Sequence, residues 1–405
     1  MNQDVVVTGV DVIAPNGAGL DAYWEATLKG VSAIRPIGRF DAEGYPVRLA
    51  AEIPAFDAEF TFPKKLTPQT DRLTRLALIC AEGALSDAGV DPAELPEYAV
   101  GVAVSSSTGG LEFGQQQLQQ LWGTGWESVS PYMSFAWYYA VNTGQISIRS
   151  GMRGPGGVVV SEQAGGLDSM AFARRRVRKG TPVMTTGGFD SLLCPYGIST
   201  VAAAPGVSGS ADPDRAYLPF RADSTGFVPG EGGAVLVLEP RTVAEERGAE
   251  TVYGVVAGHG AAFDPDVTGS GGDGLLRAAR AALSDAGLTP DDVDVVFADA
   301  SGSVPLDRAE AAAIERLFGA RRVPVSAPKS LVGRLISGGS ALDVVTALLS
   351  LRDGVVPAVP GTVRDLVDPR IDLVVGEPRT ASLRCALVLA RGHGGFASAM
   401  VLTAP

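Results

Sequence analysis

The chain contains an internal repeat. Residues 84–89 and residues 282–287 both read Ala-Leu-Ser-Asp-Ala-Gly. Apolar residues at helical spacing precede each copy, and the final glycines, Gly89 and Gly287, stand where a glycine typically ends a helix. A short linker with a proline and then a β-rich run follow both copies. The repeat predicts two related halves, each built of β-strands and α-helices.

A second pair of segments occurs in the same order in both halves. A Gly-Gly pair at residues 165–166 begins one helical stretch, and a pair at residues 338–339 begins another. Chance recurrence of helix-end signals is the alternative explanation, but two ordered matches with matching context favour duplication. We therefore predict a first half over residues 1–245 and a second half over residues 246–405.

The predicted strands are continuous apolar runs rather than alternating ones. They lie at residues 5–7, 99–104, 158–160, 234–238 and 387–390. Continuous runs indicate strands that are covered on both faces, as in the parallel sheets of α/β proteins. We expect an α/β fold with mostly parallel, buried sheets and helical layers outside them.

Composition excludes several classes of function. The 45 acidic residues outnumber the 33 basic residues, and the formal net charge of -12 disfavours nucleic-acid binding. No uncharged stretch is apolar enough to span a bilayer, and no basic region precedes an apolar run at the start of the chain. We expect a soluble, cytoplasmic protein with no membrane partner. The three cysteines have neither disulfide-framework nor metal-ligand spacing, and only two histidines are available for acid–base chemistry.

Small residues join a strand to a helix at residues 154–166. This arrangement is typical of a nucleophile elbow, a tight turn that exposes one side chain beside main-chain N–H groups. The exposed residue predicted here is Gln163. Its amide can donate and accept hydrogen bonds but is no nucleophile. The alternative is a buried, hydrogen-bonded residue with no chemical role.

Segments 160–166 and 219–232 resemble the elbow and the glycine-rich signature of the β-ketoacyl synthases, and the similarity covers nearly the whole chain. This resemblance implies a thiolase-type fold, in which two duplicated βα halves form five layers, α-β-α-β-α. It implies no metal and no cofactor of its own.

The same resemblance implies that the condensing residues are replaced. Gln163 stands in the place of the nucleophilic cysteine, and Ser301 and Arg334 stand in the places of the two catalytic histidines. The lysine of the family is retained as Lys329. His393 lies in a glycine-rich loop that the family places beside the active site, which makes it a further candidate. Condensation needs a thiolate and donors for the thioester oxygen, so we expect no condensing activity in this chain.

This pattern is similar to the chain-length factors, or ketosynthase β subunits, of bacterial type II aromatic polyketide synthases. Segments 134–144, 162–168 and 212–219 carry the likeness. It implies a heterodimer with a ketosynthase α subunit, which performs condensation as an acyltransferase. An acyl carrier protein would present malonyl and acyl thioesters on its phosphopantetheine arm. The β subunit would help to shape the interface tunnel that sets the length of the poly-β-ketone.

The resemblance places the tunnel residues after the Gly-Gly pair at residues 109–110. Leu111, Gly114 and Leu118 are spaced three and four apart and would share one helix face. Members that make shorter chains tend to carry bulky aromatic residues there, so small residues imply a decaketide or longer. The alternative is that Gly114 is only a helix-packing contact.

Two other activities remain open. Gln163 amide donors aimed at an enolate oxygen would stabilise decarboxylation of malonyl-carrier, either within the complex or in a stand-alone malonyl-thioester decarboxylase. Packing of Gln163 without such a role is the alternative. The remaining hypothesis is an acyltransferase that uses Cys194 or Cys385, although neither lies in an elbow.

Overall fold

The computed structural model describes residues 4–54, 65–265 and 273–405. The described strands are β1 Val5–Ala14, β2 Gly17–Ala18, β3 Ile34–Pro36, β4 Leu49–Ala51, β5 Val100–Ser105, β6 Val183–Ser191, β7 Glu231–Pro240, β8 Gly254–Phe263, β9 Val295–Phe297, β10 Pro324–Ser326, β11 Val355–Val356, β12 Asp372–Leu373, β13 Arg379–Thr380, β14 Cys385–Arg391 and β15 Phe396–Thr403. The described α-helices are α1 Leu20–Leu28, α2 Arg72–Ala88, α3 Leu111–Gly123, α4 Val141–Arg149, α5 Gly165–Arg178, α6 Pro195–Ala203, α7 Arg241–Glu246, α8 Gly274–Ala286, α9 Val304–Phe318, α10 Lys329–Val332 and α11 Ser337–Asp353.

Most strands belong to one continuous sheet with the order β12-β10-β9-β14-β15-β8-β1-β7-β6-β5. In the first half of the chain, β5 is parallel to β6, and β6, β7 and β1 follow as antiparallel neighbours. In the second half, β9 is parallel to β14, and β14 with β15 and β15 with β8 are antiparallel neighbours. The two parts join where Val6 of β1 pairs with Val255 of β8. The internal repeat is therefore a duplicated structural unit.

Helices form three layers around the two parts of the sheet. Helices α5 and α11 contact strands of both parts and lie between them. Every residue from Ser337 to Leu351 of α11 is buried. Helix α2 packs on β1 and β7 at one outer face, and α8 packs on β8 and β15 at the other. This arrangement confirms the expected five-layer, thiolase-type α/β fold.

The predicted helix ends are confirmed. Gly89 ends α2 with a φ of 63°, and Gly287 ends α8 with a φ of 69°. Both angles lie in the left-handed region that favours glycine over residues with a side chain. The two Gly-Gly pairs likewise lie in the first turns of α5 and α11, as predicted.

The prediction of mostly parallel sheets is wrong. The longest pairings, β1 with β7, β6 with β7 and β8 with β15, are antiparallel. Helices cover both faces of the sheet, so strands such as β1, β7 and β14 are buried along nearly their whole length whatever their direction. Residues 158–160 do not form the predicted strand: the bridge of Gly156 to Val102 places this segment at the edge of the sheet, beside β5.

Within the three described ranges, no helix combines the length and apolar character needed to cross a membrane.

Candidate active site

A cavity of about 350 Å³ is lined by residues from both halves of the chain. Three of the predicted site residues, Ser301, Arg334 and His393, line it together with Glu162 and Asp299. Gln163 and Lys329 are buried and are not among the lining residues. The structure therefore brings Ser301 and Arg334 to one cavity but keeps the side chain of Gln163 out of it.

The sharp turn of the elbow falls on Glu162. This residue has a φ of 51°, a conformation that is uncommon for residues other than glycine, asparagine and aspartate. A short 3₁₀ helix, Glu162–Ala164, then leads into α5. The prediction that Gln163 is the exposed elbow residue is wrong, since the turn comes one residue earlier and gives Glu162 the position that lines the cavity.

The side chain of Gln163 is fully buried. Neither its Nε2 nor its Oε1 has a hydrogen-bond partner in the part of the chain that the structure describes. The amide packs against the first turn of α11, where a Cβ on Gly339 would overlap Nε2. Gly339 therefore makes room for an amide whose hydrogen-bonding capacity is unused.

The Glu162 carboxylate is held by two main-chain donors. Its Oε2 accepts hydrogen bonds from the N–H of Gln163 at 2.7 Å and from the N–H of His393 at 2.9 Å. Burial raises the pKa of Glu162 above its usual range, while the nearby charge of Arg334 and these two donors act in the opposite direction. The same carboxylate therefore joins the elbow to the loop between β14 and β15.

Arg334 forms a buried ion pair with Asp299. Its guanidinium donates to Asp299 Oδ1 at 3.2 Å and to the carbonyl oxygen of Arg391 at 3.2 Å. Burial alone would raise the pKa of Asp299, but the charges of Arg334 and Lys329 outweigh burial and hold that pKa below its usual range. Arg334 is therefore a fixed cation of the cavity wall and cannot exchange protons as an imidazole would.

Ser301 and Lys329 have partners within the fold. Ser301 Oγ donates to Asp307 Oδ1 at 3.1 Å. Lys329 Nζ donates to the carbonyl oxygen of Ala298 at 2.5 Å and lies 2.6 Å from Asp343 Oδ2 in α11. The retained lysine therefore ties the end of β9 to the central helical layer, and it does not face the cavity.

None of the cavity-lining residues is a cysteine. Burial raises the pKa of Cys194 to about 11 and that of Cys385 to about 12, so both thiols are protonated at neutral pH. This weakens the hypothesis of a cysteine-dependent acyltransferase. Among the described residues, no group of three or more His, Cys, Asp or Glu could hold a metal ion.

The predicted tunnel residues lie on one helix, as expected, but outside this cavity. Leu111 and Leu118 of α3 are half-buried, and Gly114 is buried. A Cβ on Gly114 would lie 3.4 Å from the Cβ of Trp137, which is ordinary van der Waals contact. The cavity extends to Thr108, just before α3. Tunnel lining by these three residues stays a prediction.

Sequence reasoning missed Glu162, Asp299 and Arg391, all of which line the cavity. A signal for Glu162 was present, because this acidic residue directly precedes Gln163 at the elbow. Which of two neighbouring side chains faces the cavity depends on the turn geometry, which spacing does not reveal.

Comparisons with known proteins agree with this architecture. The family description "Beta-ketoacyl synthase, N-terminal domain" matches residues 2–244, and "Beta-ketoacyl synthase, C-terminal domain" matches residues 251–362. The chain is 54% identical to the tetracenomycin polyketide synthase ketoacyl synthase beta subunit of Streptomyces glaucescens over 98% of each chain. It is also 54% identical to the actinorhodin polyketide putative beta-ketoacyl synthase 2 of Streptomyces coelicolor, again over 98% of each.

Among solved structures, the ishigamide ketosynthase/chain length factor matches with a TM-score of 0.91 and 26% identity over 100% of both chains. The match extends over both duplicated halves, including the elbow in the first half. The chain therefore belongs to the β-ketoacyl synthase family, and within it to the ketosynthase β subunits, or chain-length factors, of type II polyketide synthases.

Proposed function

We propose that this chain is the non-condensing subunit of a heterodimeric type II polyketide ketosynthase. The observation that carries the proposal is the elbow, where a fully buried glutamine occupies the position after the turn and no cysteine lines the cavity. Condensation through an acyl-thioester intermediate needs a thiolate nucleophile. A ketosynthase α subunit would supply it, and this chain would act as part of the resulting acyltransferase complex.

The surface of the first half supports a partner subunit. Exposed aromatic side chains are concentrated on α3 and the segment that follows it, namely Trp122, Trp126, Trp137, Tyr138 and Tyr139. Exposed apolar groups of this size mark interaction sites more often than free surface. Val160, at the edge of the sheet, is also exposed, so segment 156–161 is a candidate to pair with a strand of the partner.

Malonyl and acyl thioesters on the phosphopantetheine arm of an acyl carrier protein would be the substrates of the complex. This chain would need no cofactor of its own. Helix α3 leads into the exposed aromatic surface, so Leu111, Gly114 and Leu118 would border the subunit interface and narrow or widen the tunnel there. The small side chains at these positions favour a decaketide or longer product.

Product length tests this role. In the complex reconstituted with carrier protein and malonyl donors, Gly114→Thr combined with Leu118→Phe should shorten the main product by at least one ketide unit, measured by liquid chromatography and mass spectrometry. Gln116→Phe, on the exposed opposite face of α3, is the matched control and should leave the length unchanged. An unchanged length from an assembled, active double variant would refute the tunnel assignment.

A second role, decarboxylation of malonyl-carrier assisted by Gln163, is supported by the unused hydrogen-bonding groups of its amide. Gln163→Ala should then leave the heterodimer assembled and lower product formation from malonyl-carrier alone, with recovery when an acetyl primer is supplied. Unchanged unprimed synthesis would reduce Gln163 to a packing residue. Release of carbon dioxide by the chain without its partner would instead favour a stand-alone decarboxylase.

A further inference from the structure

The first turn of α3 is held by a side chain from outside the helix. Its N-cap residue is Gly110, where an added Cβ would overlap the carbonyl oxygen of Ala136, so no residue with a capping side chain fits there. The first N–H groups of a helix have no partner within it. That of Phe113 donates to Asp71 Oδ2 at 2.7 Å. Helix α3 therefore depends on Asp71 for a cap that its own sequence cannot supply.

Asp71 caps two helices at once. It is the N-cap residue of α2, and its Oδ1 accepts a hydrogen bond from the N–H of Leu73 at 2.8 Å. Its other oxygen serves α3, so one carboxylate joins the two helix N-termini. Burial raises the pKa of Asp71 to about 6, while the N–H groups of Phe113 and Leu73 act in the opposite direction. The carboxyl group is therefore mainly ionised at pH 7, and its negative charge suits both helix N-termini.

Two of the proposed tunnel residues, Leu111 and Gly114, lie in the turn that Asp71 caps. The segment before α3 is held by a second buried carboxylate, since Asp190 Oδ1 accepts a hydrogen bond from the N–H of Thr108 at 2.9 Å. Asp71 is 5% exposed, so it can influence a bound chain only through the helices that it caps. The start of α3 is therefore fixed by groups that do not belong to the helix.

We infer that Asp71 is a positioning residue for product length, because its carboxylate fixes the first turn of α3 and with it Leu111 and Gly114. The inference rests on the function proposed above, in which these two residues border the tunnel. Without the cap, the first turn of α3 frays, as helix ends do. The tunnel would then accept chains of more than one length, so loss of the Asp71 carboxylate should broaden the product distribution.

Asp71→Ser separates the two capping roles. Serine is among the preferred N-cap residues, so α2 keeps its cap, but the single hydroxyl oxygen cannot also reach the N–H of Phe113. Asp87→Ser is the matched control. Asp87 lies near the opposite end of α2, and its Oδ2 accepts hydrogen bonds from the N–H of Val10 and the OH of Tyr253, both at 2.9 Å. The control removes two carboxylate contacts of α2 and should leave α3 unchanged. Each variant is produced as the full-length chain together with its ketosynthase partner.

The first measurement is hydrogen exchange, followed by mass spectrometry over residues 111–115. Asp71→Ser should speed exchange there roughly fivefold, the factor that corresponds to a lost helix cap, and Asp87→Ser should not change it. The second measurement is the product distribution of the complex reconstituted with carrier protein and malonyl donors. The share of products one ketide unit longer or shorter should rise by a similar factor in Asp71→Ser alone. If Asp71→Ser does not fold, Asp71→Thr, a second cap with a single oxygen, takes its place.

Unchanged exchange in residues 111–115 would overturn the inference, since Asp71 would then not hold α3. A lower yield with an unchanged product distribution is the result expected of a merely structural residue and would overturn it as well. The double variant Gly114→Thr with Leu118→Phe separates this failure from that of the proposed function. If the double variant shortens the product while Asp71→Ser leaves the distribution unchanged, the inference alone fails. If neither alters product length, the tunnel role fails with it.

Discussion

Replacing Gln163 by methionine should stabilise the protein. The Gln163 side chain is fully buried, and its two polar atoms have no partner among the described residues. A buried, unsatisfied polar group costs about 1–3 kcal/mol relative to an apolar group of similar shape. Methionine has a similar length and adapts to irregular surroundings, so the cost of its misfit stays below about 1.5 kcal/mol. The free energy of unfolding should rise by about 1 kcal/mol.

Urea unfolding at pH 7 measures this change, with the protein concentration held fixed because a partner subunit shifts the apparent stability. The midpoint should rise while the slope with urea stays the same. Gln115→Met is the matched control. Gln115 Oε1 accepts a hydrogen bond from the N–H of Tyr196 at 2.7 Å, so this variant should lose about 0.5–1.5 kcal/mol.

The refuting result is a loss of more than about 1 kcal/mol in Gln163→Met at an unchanged slope. Such a loss would mean that the amide of Gln163 makes a hydrogen bond in the folded protein. In that case the side-chain amide of Gln163 would not support a role in decarboxylation, because its N–H donor would already be engaged in a hydrogen bond.

Three further outcomes are expected. Arg334→Met should lower the free energy of unfolding by about 3–5 kcal/mol, because Asp299 is left charged and buried. Adding Asp299→Asn should recover part of this loss. A loss below about 1 kcal/mol would contradict the buried ion pair. Gly339→Ala should destabilise the unaltered chain, because the added Cβ would overlap the amide of Gln163. The same substitution should be tolerated in a chain that also carries Gln163→Ala. If Gly339→Ala changes the free energy of unfolding equally in both backgrounds, the two sites are uncoupled. Iodoacetamide at pH 8 should label the three buried cysteines only after unfolding, and rapid labelling of the folded protein would reject their burial.

The repeat was sufficient to predict the duplicated architecture, because helix ends depend on local signals. Gly89 and Gly287 adopt the left-handed conformation that their position after an apolar helix indicates. Strand direction was not predictable in the same way. Burial on both faces makes the antiparallel pair β14 and β15 as apolar as a parallel pair, so hydropathy does not distinguish them.

Part of the cavity lining was predicted from the sequence, but the orientation of the elbow was not. Ser301 and Arg334 line one cavity, whereas the roles that the resemblance implied for them stay predictions. The orientation of the elbow could not be derived, since a shift of the turn by one residue exchanges the environments of Glu162 and Gln163. That shift is decided by contacts from distant segments, including the N–H of His393, which carry no local sequence signal.

Helix α11 determines how the chain can reach its folded state. A helix that is buried on every side offers no face to water, so it is stable only when strands from both halves already enclose it. Neither half can complete its core alone, and separate fragments cut near residue 245 would each expose apolar surface. The duplicated halves are therefore one cooperative unit, and the amide hydrogens of α11 should be among the last to exchange with solvent.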